Sequence, residues 1–172
     1  MVIGQARIIN IAGEITGELR SEFASWEQIA TSPRNAIRQV STFFARSIFE
    51  ELGYLDETLY IAMDTELLIR FNRSYKPLII EDYIAVFRVQ PGAKTTSHLI
   101  QGYIETDRMR PAILPNKSLI TRYKKQSASN WLGLSESGAF SHAERWKCMW
   151  KALQQFPRVL ISRKLWRSVK RI

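Results

Sequence analysis

The run PLIIEDYIAVFRVQPG at residues 77–92 constrains the fold most, because its alternating composition is that of a β-strand. Its odd-numbered residues from Tyr83 to Phe87 fall on one face, its even-numbered residues from Ile84 to Arg88 fall on the other, and Pro91-Gly92 ends the run. Such a strand is stable only when it pairs with other strands in a sheet. The other strand-like segment runs from Ile3 to Ile9 and is followed by a turn and a second short extended piece. We therefore expect a small sheet in the first part of the chain.

Helical patterns surround these strands. SEFASWEQIA predicts a helix with Ser21 as its N-cap, and VSTFFARSIFEELG predicts an extended start and a helix that ends at Gly53. From residue 97 onward the pattern is helical, with breaks expected at Pro111, Pro115, the Ser/Gly-rich stretch 126–138 and Pro157. The sequence thus predicts an α/β region over residues 1–96, followed by an all-helical, strongly basic region over residues 97–172.

The net charge of +9 is concentrated in the last third of the chain. Residues 1–116 carry 12 Lys and Arg against 14 Asp and Glu, whereas residues 117–172 carry 13 against 2. This asymmetry suggests an anionic partner for the last third, either lipid headgroups or nucleic acid.

The chain has no pattern typical of secretion or membrane insertion. MVIGQARIINIAGE lacks the basic and apolar regions of a signal peptide, and no window approaches ~18 uninterrupted apolar residues. The single cysteine, Cys148, cannot form an internal disulfide. His98 and His142 lack other ligands at metal-binding spacing, so we predict no metal site. These features predict a cytoplasmic protein, either soluble or peripheral at the inner face of the membrane.

An acidic pair, Asp64 and Glu66, interrupts the otherwise apolar run LYIAMDTELLIRF at residues 59–71. One explanation is structural, because Asp64 stands where a helix would begin and Asp is a good N-cap. The other is that a carboxylate is placed in a cleft. The two explanations are compatible, since a cap would also fix the carboxylate in place.

Several segments of the first hundred residues resemble blocks of the family 2 glycosyltransferases, which have the GT-A fold. These segments are GQARIINIAGEITGE, NAIRQVSTFFARSIFEELGYLDETLYIAMDTELLIRF and IAVFRVQPGAKTTS, in the order and at the spacing of that family. The chain departs from the family pattern at Gln5, where the family has Asp, and at Gln90, where it has His. The resemblance implies that residues 1–96 form the acceptor-side half of a GT-A-like α/β layer.

The resemblance also implies site residues. In inverting members of the family, a carboxylate at the position of Asp64 is the catalytic base. It takes the proton of the acceptor hydroxyl as that oxygen attacks the anomeric carbon of a nucleotide sugar. Glu66 would support it or contact the acceptor, as Gln39 and Asn35 would. Arg88 and Lys94 would offset charge on the diphosphate. The alternatives are loop hydrogen bonds for Gln39 and Asn35 and solvated surface charges for Arg88 and Lys94.

In this family the nucleotide-binding half and its Asp-x-Asp motif precede the block that begins here at Met1. The 172 residues contain no Asp-x-Asp. The resemblance therefore implies a truncated or split glycosyltransferase that is inactive alone. The complete enzyme would transfer a sugar from a nucleotide-sugar donor to a saccharide or lipid-linked acceptor. No cofactor is expected in this chain, because Mn²⁺ or Mg²⁺ would need the missing carboxylates. We also expect the missing half to leave an exposed sheet edge and an apolar patch near Ile3 to Ile9, whereas a fully buried first strand would count against truncation.

Two non-catalytic alternatives rest on the basic C-terminal third. A nucleic-acid module would use Trp131, Trp146, Trp150 and Trp166 as stacking platforms, but their helical spacing is more typical of packing, so we do not expect nucleic acid as a partner. Residues 144–172 instead predict two helices divided by Pro157, each with an apolar and a cationic side, as in helices that lie in an anionic membrane interface. The same apolar sides could equally pack onto the α/β layer.

Overall fold

A computed structural model of the protein describes residues 1–23, 25–32 and 38–161, together with Leu165 and Val169. The chain forms two compact units, Met1–Arg110 and Pro111–Ile172. The first unit is mixed α/β, and the described part of the second is helical. This order confirms the coarse prediction of an α/β region followed by helices.

A four-stranded sheet with β1 (Val2–Ile9) at its centre organises the first unit. β4 (Leu78–Arg88) pairs with β1 in parallel along its whole length, which leaves the opposite edge of β1 to two shorter strands. β3 (Thr42–Phe43) takes the first part of that edge and β2 (Ile15–Leu19) the last, both antiparallel. The strands predicted near Ile3–Ile9 and within 78–90 are thereby confirmed.

The expectation of an exposed edge near Ile3 to Ile9 is wrong. β1 has partners on both edges, and its first half, from Ile3 to Ala6, is buried. The buried amide of Gln5 fills an irregularity between β1 and β4, where its Nε2 donates to the Ile80 carbonyl at 3.0 Å. Among the described residues, β4 pairs with β1 alone, and so do β2 and β3, so the outer edge of each of these three strands has no partner strand.

The described helices that lie in or begin in the first unit are α1 (Trp26–Thr31), α2 (Arg46–Leu52), α3 (Met63–Ser74), the short α4 (Lys94–Ser97) and α5 (Leu99–Ile113). The core beneath α2 and α3 is aromatic. Phe71 lies edge-on to Phe44 and Phe49, with ring centroids 5.5 and 5.1 Å apart, and Ile48 and Leu67 complete the buried cluster.

Two helix boundaries can be compared with the cap residues that the sequence predicts for them. Gly53 ends α2 with a φ of 86°, which a side chain would disfavour, and this confirms the predicted stop. Ser21 is not an N-cap, because α1 begins later, with Ser25 accepting a hydrogen bond from the Gln28 N–H. Ser21 is instead buried, and its backbone N–H donates to Oε1 of Gln5 at 2.7 Å.

The second unit contains α6 (Lys117–Ser135), α7 (His142–Gln155) and a 3₁₀ segment (Pro157–Ile161). The break predicted at Pro111 is wrong, since α5 runs to Ile113, and the break predicted within 126–138 occurs only at the end of that stretch, since α6 runs to Ser135. Burial of Trp131 and Leu132 outweighs the weak helix propensity of the serines around them. Most of the second helix predicted after Pro157 lies outside the described residues. No helix in the described ranges has the length and apolar character needed to cross a membrane.

Candidate functional site

A cavity of about 530 Å³ opens beside the first turn of α3. Its walls come from the segment 39–49, the loop before α3, α3 itself and the first residue of α4. The lining residues are Gln39, Thr42, Phe44, Phe49, Leu55, Tyr60, Ile61, Met63, Asp64, Leu67 and Lys94. The fold therefore brings together three of the six predicted site residues, Gln39, Asp64 and Lys94, although they are far apart in the sequence.

Asp64 is the only carboxylate among the lining residues. α3 begins at Met63, so Ala62 occupies the N-cap position and the explanation of Asp64 as an N-cap is wrong. The Oδ1 atom of Asp64 accepts hydrogen bonds from the backbone N–H of Thr65 at 2.6 Å and from the Thr65 hydroxyl at 3.2 Å. These bonds hold the carboxylate against the first helical turn, where it lines the cavity.

Glu105 supplies the cap that Ala62 cannot. Its Oε2 accepts hydrogen bonds from the backbone N–H groups of Tyr60, Ile61 and Ala62 at 3.2, 2.8 and 3.0 Å. Burial raises the pKa of Glu105, but these N–H groups and the Gln101 amide outweigh burial and hold its pKa below the usual value. The backbone leading into Asp64 is thus fixed by a side chain from α5. No local pattern marks Glu105 in the sequence, so sequence reasoning missed it.

A glycine lets α5 approach this backbone. A Cβ atom on Gly102 would lie 2.7 Å from Cγ2 of Ile61, closer than side chains tolerate. Gly102 and Glu105 lie one turn apart on α5. Gly102 leaves room for the loop before α3, and Glu105 accepts hydrogen bonds from the amides of that loop.

Glu66 does not line the cavity. Its carboxylate oxygens accept from Nε and Nη2 of Arg70, each at 2.8 Å, in a partly buried pair that raises the pKa of Arg70. The same guanidinium donates to the carbonyls of Leu52, Gly53 and Tyr54. Glu66 therefore orients Arg70, which binds the backbone between α2 and the cavity-lining Leu55. The predicted role of Glu66 in supporting the base stays a prediction.

Lys94 lies at the rim of the cavity. Its Nζ atom is 3.7 Å from the centroid of the Tyr60 ring, and His98 meets the same ring edge-on at 5.5 Å. A cation held over an aromatic face at this distance is attracted by the ring electrons. The contact keeps a positive charge at the cavity mouth on a residue that also faces water.

Arg88, like Glu66, is not among the residues that line the cavity. Arg88 lies in β4, where its Nη1 donates to the Ile11 carbonyl at 3.1 Å. Asn35 lies outside the described residues. Gln39 belongs to a 3₁₀ turn (Gln39–Ser41) that is tied to β1 through the Ser41 hydroxyl, which donates to the Gly4 carbonyl at 2.8 Å.

The cavity does not have the donor set of a divalent metal site. Asp64 is its single carboxylate, and no group of three His, Cys, Asp or Glu side chains suited to a metal occurs within the described ranges. Mg²⁺ and Mn²⁺ prefer several oxygen ligands. These residues alone would not hold the ion that the family resemblance implies.

A second candidate surface lies on α7. The helix begins at a reciprocal capping box of Ser141 and Glu144, and it buries Cys148, Met149 and Ala152. Trp146 and Trp150, four residues apart and on one face, are 52% and 61% exposed. Trp131 is fully buried, so it cannot stack on bases as the nucleic-acid alternative requires, and Trp166 lies outside the described residues.

No protein-family model, no curated protein and no solved structure matches this chain.

Proposed function

We propose that the first unit, Met1–Arg110, is the acceptor-binding part of a sugar-transferring enzyme similar to the family 2 glycosyltransferases. The observation that carries the proposal is that Asp64, Gln39 and Lys94 line one cavity of about 530 Å³ together with aromatic side chains. The family resemblance implies site roles for these three residues.

The chemistry of the cavity suits a saccharide acceptor. Phe44, Phe49 and Tyr60 line the cavity with aromatic side chains against which a sugar can pack, and Gln39 offers an amide for its hydroxyl groups. The mixture of aromatic walls and a few polar groups is typical of sites for small polar ligands. The single carboxylate then has one evident task, which is to accept a proton from a bound hydroxyl.

In the proposed reaction, Asp64 takes the proton of the acceptor hydroxyl. The oxygen forms a bond to the anomeric carbon of the donor as the bond from that carbon to the diphosphate breaks, and the electron pair of that bond leaves with the nucleoside diphosphate. Attack from the face opposite the leaving group inverts the anomeric centre. Lys94 is a cation at the cavity mouth that can offset charge on the departing phosphate.

In this proposal the site for the nucleotide-sugar donor is formed by residues other than these 172. The 172 residues contain no Asp-x-Asp, and the resemblance assigns that motif and the nucleotide site to other sequence, in the same polypeptide or in another. We therefore propose that this chain alone binds acceptor but does not transfer sugar, and that transfer needs the donor-binding half.

The test joins the chain to the donor-binding half of a family 2 enzyme and measures transfer from nucleotide sugars to a panel of oligosaccharide and lipid-linked acceptors. Asp64→Asn should lower transfer by ~10²–10⁴-fold, the usual contribution of a general base, while acceptor binding is kept. Glu57→Gln, an exposed carboxylate outside the cavity, is the matched control. Equal turnover of the Asp64→Asn and Glu57→Gln proteins would refute the assignment of the base.

A second readout needs no donor half. Saccharides titrated into isotope-labelled chain should shift the amide resonances of Gln39, Tyr60 and Lys94 and leave those of α7 unchanged. Saccharides that bind without shifting the cavity resonances would place the acceptor site elsewhere.

The exposed tryptophan pair of α7 favours a second candidate function, peripheral binding to an anionic membrane. Lys147 and Lys151 follow Trp146 and Trp150 directly, in a region that carries 13 Lys and Arg against 2 Asp and Glu over residues 117–172. Tryptophans at headgroup depth beside cations are typical of interfacial helices. Such binding would hold the first unit near lipid-linked acceptors.

A further inference from the structure

The wall of the cavity in the first unit is largely apolar. Seven of its eleven lining residues are aliphatic or aromatic, and its hydrogen-bonding side chains are those of Gln39, Thr42, Asp64 and Lys94, apart from the Tyr60 hydroxyl. A sugar carries hydroxyl groups around its whole ring, and a hydroxyl that is buried without a hydrogen-bond partner is unfavourable. A ligand that fills this cavity must therefore carry an apolar part as well as hydroxyl groups.

Three exposed side chains continue the apolar wall at the surface. Leu55 and Tyr60 line the cavity, yet they are still 46% and 48% exposed. Tyr54 is 66% exposed, and its ring stacks on that of the cavity-lining Phe49, with centroids 5.6 Å apart and an angle of 24° between the planes. Exposed apolar groups next to a cavity are typical of ligand-binding grooves. We call Tyr54, Leu55 and Tyr60 the apolar rim.

The backbone that carries the apolar rim is fixed at both ends by side chains from helices. At its start, the Arg70 guanidinium donates to the Tyr54 carbonyl at 2.7 Å. At its end, Glu105 accepts a hydrogen bond from the Tyr60 N–H at 3.2 Å. Leu59, in the same segment, is buried. The rim side chains are therefore exposed on a backbone that is held in place, and such preorganisation lowers the entropic cost of binding a ligand.

The size of the cavity agrees with a ligand of two parts. Its volume of about 530 Å³ lies within the range of ~300–1,000 Å³ that is usual for sites of drug-sized ligands. A single sugar unit is smaller than such ligands. The cavity thus has room for a sugar together with the first part of a group attached to it, and the apolar rim lies where that group would leave the cavity.

We propose that the acceptor is a sugar that carries an apolar aglycone, and that the apolar rim binds the aglycone while the sugar lies at Asp64 and Gln39. A sugar linked to an alkyl or prenyl chain has this chemistry, and an unmodified oligosaccharide does not. The inference rests on the proposed function, because it describes the acceptor of that same site. It assigns to Tyr54, Leu55 and Tyr60 the role of specificity-determining residues for the apolar part.

Matched glycosides test the proposal on the chain itself, without a donor half. The probes are the methyl and octyl glycosides of glucose, galactose, mannose and N-acetylglucosamine, with the octyl compounds kept below their micelle concentration. Burial of one CH₂ group strengthens binding about fourfold, so partial burial of the octyl chain should lower the dissociation constant at least about tenfold relative to the methyl glycoside. Octyl glycosides that bind no more tightly than the methyl glycosides would overturn the proposal.

Variants of the apolar rim locate the octyl chain. Leu55→Ser and Tyr54→Ser should each reduce the gain in affinity from methyl to octyl at least about threefold, because apolar contact area is lost, while the affinity for methyl glycosides is kept. Leu78→Ser is the matched control, since Leu78 is 61% exposed in the same unit and does not line the cavity. An equal gain in the Leu55→Ser, Tyr54→Ser and Leu78→Ser proteins would overturn the assignment of the rim.

Amide resonances of isotope-labelled chain distinguish failure of this inference from failure of the proposed function. Methyl and octyl glycosides should both shift the amide of Gln39, and only the octyl glycosides should shift that of Tyr54. A Gln39 shift with no added effect of the octyl chain at Tyr54 would overturn the inference and leave the proposed function standing. If no glycoside shifts Gln39, both are overturned.

The octyl chain without its sugar provides the last control. 1-Octanol should bind more weakly than the octyl glycosides, because the sugar contributes its contacts with Asp64 and Gln39. If 1-octanol binds as tightly as the octyl glycosides, the site takes an apolar ligand without a sugar, and both the inference and the proposed function are overturned.

Discussion

Oε2 of Glu105 lies 3.0 Å from the backbone nitrogen of Ala62, and this contact joins α5 to the start of α3. With the amides of Tyr60 and Ile61 it makes one carboxylate oxygen the acceptor of three N–H groups. The carboxylate takes the part of a helix N-cap, but it comes from a distant element. The position of Asp64 at the cavity therefore depends on Glu105.

Glu105→Gln should lower the free energy of unfolding by ~1–2 kcal/mol, because a neutral amide oxygen accepts these hydrogen bonds less strongly than a carboxylate and water partly reaches the site. Since the folded state lowers the pKa of Glu105 from its ordinary value of 4.5, its stabilisation is present above that pH and is lost as the pH falls through the folded value. Urea unfolding should show a difference between the two proteins at neutral pH that shrinks in acid. Glu57→Gln serves as the control.

Gly102→Ala should destabilise the first unit, although alanine normally favours a helix by ~1 kcal/mol over glycine. The new Cβ would meet Cγ2 of Ile61 at 2.7 Å, and this β-branched side chain has little freedom to move while Glu105 holds its amide. Overpacking of this kind costs ~1–3 kcal/mol. Gly138→Ala, where nothing lies within 4 Å of the added Cβ, should cost little and is the matched control.

A double variant shows whether the loss of stability comes from the contact with Ile61 or from another effect of alanine at position 102. With Ile61→Ala the obstructing methyl group is absent, so the further change Gly102→Ala should stabilise the protein by ~1 kcal/mol through helix propensity alone. A loss of stability of the same size in both backgrounds would show that Ile61 is not the cause.

Local signals in the sequence predicted the elements and some of their ends. The alternation from Tyr83 to Arg88 correctly predicted β4, and Gly53 correctly predicted the end of α2, because both depend on neighbouring residues only. The grouping of Asp64, Gln39 and Lys94 came from the family resemblance, and these three residues line one cavity.

The errors concern residues whose place is decided by distant parts of the chain. Ser21 has the side chain of an N-cap, but its hydroxyl oxygen accepts a hydrogen bond from the Arg38 N–H at 3.2 Å, and the N-cap is Ser25, four residues further on. β1 was expected at an edge, yet β4 covers the side of β1 that β2 and β3 leave open. Glu105 looks like any surface glutamate on a helix, because its partners lie more than forty residues earlier.

The thiol of Cys148 should be unreactive in the folded protein. Burial raises its pKa from the ordinary value of 9.0 to about 11, so the nucleophilic thiolate is scarce at neutral pH, and the side chain is also shielded from reagents. Labelling with a thiol reagent at pH 8 should be slow in buffer and fast in urea. Since the folded pKa is raised, stability should also fall as the pH rises from about 9 to about 11, and this slope should be absent from Cys148→Ala.

The exposed face of α7 should bind anionic vesicles. Trp146 and Trp150 are more than half exposed, while Cys148 and Met149 pack inward, so the helix can present both indoles without losing its own packing. Sedimentation with vesicles should show binding to anionic lipid, little binding to neutral lipid, and weakening as salt is added.

Point variants are the sharper test, because deleting residues 144–172 would also remove the buried side of α7. Lys147→Glu and Lys151→Glu should each weaken binding about fivefold or more, since a cation near the surface contributes ~1 kcal/mol. Trp146→Ala with Trp150→Ala should weaken binding to anionic vesicles while the salt dependence stays, because the lysines remain. Tyr54→Ala, which removes an aromatic side chain 66% exposed in the first unit, is the control and should bind like the wild type. Absence of vesicle binding by the wild type at low salt would rule out peripheral membrane binding as a function. Trp146 and Trp150 would then be exposed without a role in lipid binding.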